Sequence, residues 1–113
     1  MEFIELVSTS LEPLNIPVIY GWFDKNINST HITFIEFDNV EGEYCDDEAT
    51  TEEHWIQIDV WTKNVEEAQT LKRSIKKLLK DSNFNYQDGA DQFEADTEIW
   101  HISTRWLYVE NLE

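Results

Sequence analysis

The sequence predicts an α+β domain: a mostly antiparallel sheet of four to five strands with two helices packed on it. Three observations carry this. His54 to Lys80 passes from a period-two pattern straight into a helical one, His31 to Asp38 and Glu98 to Val109 alternate as strands do, and residues 2 to 14 place apolar side chains at helical spacing. With 113 residues and 41% hydrophobic content, the chain can build one core and is too short for two, so residues 1–113 are expected to form a single domain.

The central stretch organises the rest. Ile56, Ile58 and Val60 alternate with Trp55, Gln57, Asp59 and Trp61, which gives a strand with one aliphatic face. Asn64 offers an N-cap oxygen, and Glu67, three residues on, is placed to reach back as in a capping box. Val65, Ala68, Leu71, Ile75, Leu78 and Leu79 then fall within an arc of about 140°, a stripe that one packing surface can bury.

In chain order, Phe3, Leu6, Val7, Leu11 and Leu14 define an amphipathic first helix that Pro13 ends. Asn15 and Pro17 lead into a short strand, Val18 to Trp22, and Asp24 to Thr30 is polar and turn-prone. In His31 to Asp38 both faces carry apolar groups, so this strand is expected to be central and to form a hairpin with the strand before it. Glu41 to Glu53, dense in carboxylates, reads as an exposed acidic loop. Phe84 and Tyr86 suggest a fourth strand, Asp88-Gly89 a turn, and Glu98 to Val109 the longest strand.

Charge is the strongest global signal. The 24 acids and 8 bases give a formal net charge of −16, which argues against a conventional nucleic-acid surface and against anionic lipid. Lys72, Arg73, Lys76, Lys77 and Lys80 hold five of the eight bases on the last turns of the central helix. They suit the helix dipole, but at i, i+4 spacing they repel one another, so their partners lie elsewhere. Either they meet the acidic loop of their own chain, with Asp46, Asp47 and Glu48 at its centre, or they dock on an acidic patch of another copy. The second contact is heterologous, and such contacts close into rings or continue as filaments. Trp55 and Trp61 flank Asp59 on the face opposite the aliphatic one, to be covered either by the first helix or a long loop or by another subunit. Arg105 can pair with Asp59 if their strands are neighbours.

Other classes find little support. The apolar runs are short and the N-terminus carries Glu2 and Glu5, so neither a membrane segment nor a signal peptide is expected. Cys45 is the only cysteine, which excludes an internal disulfide and suits a reducing cytoplasm. His31, His54 and His101, taken with Asp46, Asp47 and Glu48, lack the spacing of metal-ligand motifs. The acidic run also lacks the pattern of an EF-hand loop. There is no Gly-rich phosphate loop and no nucleophile motif, so the reading is non-enzymatic, with no catalytic, cofactor or metal residues.

Residues 45 to 79, CDDEATTEEHWIQIDVWTKNVEEAQTLKRSIKKLL, resemble a stretch of small tailed-phage tail-completion proteins (tail terminators, head–tail joining proteins). In those, an Asp-Asp-Glu loop precedes a Tyr-Gln-Ile-Asp-hydrophobic-Trp strand and a helix; Trp55 stands here where tyrosine is more usual. Residues 96 to 109, DTEIWHISTRWLYV, are similar to the closing strand of that family, with Arg105-Trp106 at its Arg-aromatic position. The resemblance implies a structural virion part, assembled in the bacterial host cytoplasm: a homo-oligomeric ring, typically a hexamer, at the head–tail interface. Its partners would be the tail tube protein and a head completion or connector protein, with DNA passing through unbound. An acidic lumen that does not grip phosphates suits that passage. An acidic DNA-mimic inhibitor and a small cytosolic protein-binding module are the alternatives that the charge leaves open.

Overall fold

Apolar residues at a spacing of two, interrupted by one helical stripe, produce the α+β architecture that the sequence predicts. The computed structural model describes residues 2–21 and 29–112. Helix α1 (Phe3–Leu11) runs into a 3₁₀ turn (Glu12–Leu14), followed by β1 (Val18–Tyr20), β2 (His31–Cys45), β3 (Glu48–Thr62), α2 (Val65–Asp81), β4 (Asn85–Glu94) and β5 (Ile99–Asn111). The strands form one sheet in the order β1-β2-β3-β5-β4, antiparallel except for β1 against β2. Trp22 and most of the predicted polar turn lie outside the described residues.

Both helices cover one face. Ile32 and Phe34 of β2, Ile56, Ile58 and Val60 of β3, and Ile102 and Trp106 of β5 are buried with Val7 and Leu11 of α1 and Ala68, Leu71, Ile75 and Leu79 of α2. The register explains the shared face, because Ile32 and Ile102 both stand opposite Val60 while Trp106 stands opposite Ile56. Asn64 caps α2 as expected, its side chain accepting from the amides of Glu66 and Glu67. Glu67 does not complete a capping box. It accepts from the Thr62 hydroxyl at 3.3 Å, and Thr62 Oγ1 in turn accepts the Asn64 amide at 3.2 Å. Val65, expected in the stripe, is exposed.

The longest strands are β2 and β3 at 15 residues each, not β5 at 13. Three further expectations are corrected. First, β1 pairs with β2 in parallel rather than as a hairpin: Val18 stands opposite Ile32, and the Ile32 amide donates to the Pro17 carbonyl at 2.9 Å. Ten residues separate Tyr20 from His31, so the two strands are not joined by the tight turn of a two-residue hairpin.

Second, the acidic loop is a hairpin. β2 and β3 stay paired out to Cys45 opposite Glu48, and only Asp46 and Asp47 turn, with φ of 52° and 66°. Two consecutive left-handed residues give the turn whose twist matches paired strands, and Asp tolerates that conformation. Glu43, Asp46, Asp47 and Glu48 are exposed on a two-stranded ribbon, where they cost little, so charge density did not prevent backbone pairing.

Third, Asp88-Gly89 is not a turn. It lies inside β4, just after a register shift between Tyr86 and Asp88, so the flexible dipeptide serves a bulge.

Candidate functional site

The elongated body measures 54 × 25 × 23 Å, and its charged surfaces sit on separate elements. On α2 the cations divide into two groups. Lys72 and Lys76 lie over β4: Lys72 Nζ donates to Asp91 Oδ1 at 3.1 Å, and Lys76 Nζ stands 4.3 Å from the centre of the Tyr86 ring. Burial pushes the Asp91 carboxyl up, but hydrogen bonds from Gln69 and Lys72 and the charges of Lys72 and Lys76 outweigh it, so Asp91 stays below the ordinary carboxylate range. Arg73, Lys77 and Lys80 face away, all three exposed and spaced i, i+4, i+7 along one outer stripe. Within that stripe the ion pair among the described residues is Lys77 with Asp81 of the same helix at 3.2 Å, an exposed contact of little energetic weight.

The acids expected to meet these cations form an arm. From Val40 opposite Glu53 to the tip at Asp46 and Asp47, β2 and β3 carry Glu41, Glu43, Glu48 and Glu52 as well. Among the described residues, none of these carboxylates pairs with a cation of α2. The helix meets the β4 edge instead, because its flank lies over β4 while the arm runs beyond the body along the strand direction.

The aromatic face is half closed. Trp61 is 4% exposed: its indole N–H donates to Thr33 Oγ1 at 2.9 Å, and its ring stacks on His101 at 3.8 Å between centroids. It therefore cannot present an interface. Asp59, fully buried, accepts from His101 Nε2 and from the Ser103 hydroxyl, both at 2.7 Å. The expected Arg105–Asp59 pair does not form. The register sets Ser103 opposite Asp59 and Arg105 opposite Gln57, and Arg105 reaches out to Asp88 at 3.8 Å and over the Phe37 ring at 5.7 Å. Asp59, His101 and Ser103 do not form a nucleophile triad either. Ser103 approaches the same imidazole nitrogen that serves Asp59, whereas a triad uses the two nitrogens for different partners.

Trp55 stays half-buried on this outer face, its indole N–H donating to Glu53 Oε1 at 3.1 Å. Around it stand Phe37, Val40 and Val109, 49%, 41% and 46% exposed. The sequence reasoning missed these three. Phe37 is the extra residue where the β2 register shifts, and that shift moves Val40 onto the face it shares with Glu53 and Val109.

A second cluster stands on the helix-covered face at the base of the arm: His54 with Glu36, Glu52 and Glu110. Asp46, Asp47 and Glu48, whose spacing from the histidines argued against a metal motif, lie at the arm tip and take no part in it.

No helix among the described residues is long and apolar enough to cross a membrane. No family model matches the chain, and no curated protein matches it.

Proposed function

We propose that this chain is a structural, ring-forming assembly protein of the tail-completion type, joining a phage tail tube to the head connector. The observation that carries the self-assembly reading is a mismatch inside one protomer: the outer cationic stripe of Arg73, Lys77 and Lys80 and the acidic arm do not meet. Opposite charges held apart on one protomer are matched by placing a second copy so that its arm lies along the helix of the first. That contact is heterologous, and where its rotation closes it repeats around a ring. The half-exposed strip of Phe37, Val40, Trp55 and Val109 supplies the apolar area that ionic contacts alone do not. The phage assignment rests on the resemblance of residues 45–79 and 96–109.

The test compares the native protein with Arg73→Glu/Lys77→Glu/Lys80→Glu by native mass spectrometry and negative-stain microscopy, alone and with tail-tube protein. Rings of about six native copies, free or on tube ends, with only monomers from the variant, support the reading. Native protein that stays monomeric with the tube protein present, or a variant that assembles equally well, overturns it. A tight stoichiometric complex with a DNA-binding enzyme instead would establish the DNA-mimic alternative.

A further inference from the structure

We infer that the base of the arm is a binding site for one divalent transition-metal ion, with Zn²⁺ as the best-matched ion, held by Glu52, His54 and Glu110. The inference is independent of ring formation. Glu52 and His54 lie two apart on β3 and so share a face, and Glu110 of β5 stands directly opposite Glu52. One ligand atom from each of the three lies within 4.8 Å of the other two. Two carboxylates opposed across adjacent strands repel. The register carries this further, because Glu41 of β2 also stands opposite Glu52, so three glutamates cross three strands in one row.

The histidine turns this acidic row into a candidate ligand set. His54 is 5% exposed, with the Phe3 ring of α1 stacked on it at 4.0 Å. Its Nε2 is buried without a hydrogen-bond partner among the described residues and is aimed at Glu110, whose Oε2 is 3.6 Å away. That distance is too long for a hydrogen bond. It is close to the edge of about 3.4 Å between donor atoms set tetrahedrally around zinc at 2.0–2.2 Å.

The other ring nitrogen is already fixed, since His54 Nδ1 lies 2.5 Å from Glu36 Oε2. A carboxylate accepting from Nδ1–H leaves the Nε2 lone pair for a metal, the outer-shell arrangement that orients metal-bound imidazoles. Glu36 immediately precedes the β2 register shift, so the bulge that re-aims this strand lies beside the site. One imidazole and two carboxylates favour zinc over magnesium or calcium, which prefer a full shell of oxygens. Glu52 and Glu110 are only half-buried, which leaves a coordination position open to water or to a group from another chain.

The experiment strips the full chain with EDTA and titrates it with ZnCl₂ by isothermal calorimetry, then with CoCl₂ by visible absorption. The expected result is one Zn²⁺ per chain and the d–d bands of a low-coordinate Co²⁺ site. Glu52→Gln/Glu110→Gln should weaken Zn²⁺ at least about 100-fold with an unchanged far-ultraviolet circular dichroism spectrum, since both side chains reach solvent. Glu36→Gln, which touches no metal, should weaken it about 10- to 100-fold. Asp46→Asn/Asp47→Asn, at the arm tip, should leave affinity within about twofold. The site is refuted if the chain takes no stoichiometric zinc, as when a protonated His54 bridges Glu36 and Glu110. It is refuted equally if Glu52→Gln/Glu110→Gln keeps full affinity, or if the arm-tip variant loses it.

Discussion

Asp59 and His101 are bonded between β3 and β5 at 2.7 Å on the sheet face opposite the helices, and the Ser103 hydroxyl donates to the same carboxylate oxygen, also at 2.7 Å. Gln57 adds a third donor at 3.0 Å. The carboxylate is fully buried, and these donors offset its desolvation. Truncating it orphans them. Asp59→Ala should cost on the order of 1–3 kcal/mol for each buried group left unpaired, and Asp59→Asn, which retains one acceptor oxygen, should cost less. Urea denaturation measures both; equal and negligible losses would show that the network adds nothing to stability.

The Lys72–Asp91 contact ties α2 to the β4 edge and makes stability depend on pH. Asp91 is held below its ordinary value in the folded chain, so its contribution is present above the unfolded carboxylate pKa of about 3.9 and is lost as pH falls through the lower folded value. The melting temperatures of the native chain and Asp91→Asn should therefore differ at pH 7 and pH 5 and converge toward pH 3. Partial exposure of both side chains keeps the gap below about 1 kcal/mol. A gap that widens on acidification would contradict the sign.

Strands with one apolar face and the stripe of α2 were legible because burial leaves its period in the sequence: Ile56, Ile58, Val60 and Ala68, Leu71, Ile75, Leu79 are all buried where that period puts them. The arm was not legible. Beyond Thr51 it is a two-stranded ribbon solvated on both faces, with no apolar side to produce alternation, and its pairing is held by backbone bonds that side-chain chemistry does not encode. Register was equally hidden. Whether Arg105 meets Asp59 or Gln57 depends on a two-residue offset between two strands, and the bulge at Phe37 changes which residues of β2 share a face with His54. The His54 cluster draws on three strands for that reason, and nothing in the spacing of Glu36, Glu52, His54 and Glu110 along the chain announces it.

Gly89 tests the β4 bulge directly. A Cβ there would stand 2.6 Å from the Tyr86 hydroxyl and 2.8 Å from the Ser103 carbonyl oxygen. The tyrosine can swing aside, but the carbonyl belongs to the ladder between β4 and β5 and cannot. Gly89→Ala should therefore destabilise the fold by about 1–3 kcal/mol through overpacking, despite the higher strand cost of glycine itself. Chemical denaturation and amide exchange along β4 measure the effect; a neutral or stabilising alanine would mean that β4 shifts freely on β5.

The N-terminus of α2 depends on a single side chain, since Asn64 Oδ1 accepts both the Glu66 amide at 2.9 Å and the Glu67 amide at 3.1 Å. Glu67, the alternative source of a reciprocal bond, is held by Thr62 instead, so it gives Asn64 no return contact that would survive substitution. Asn64→Ala should cost about 1 kcal/mol, the usual value for a lost cap. Asn64→Asp retains the acceptor and places a negative charge at the positive end of the helix dipole, an interaction worth about 0.3–1 kcal/mol at low salt. Its charge also stands near Glu66 and Glu67, which opposes that gain, so the aspartate variant should melt within a few tenths of a kcal/mol of the native chain. Raising the salt concentration screens the dipole and the like charges together, so the alanine deficit should persist while the aspartate difference shrinks further. An alanine variant as stable as the native chain would mean that packing of Ala68, Leu71, Ile75 and Leu79 alone fixes where the helix begins.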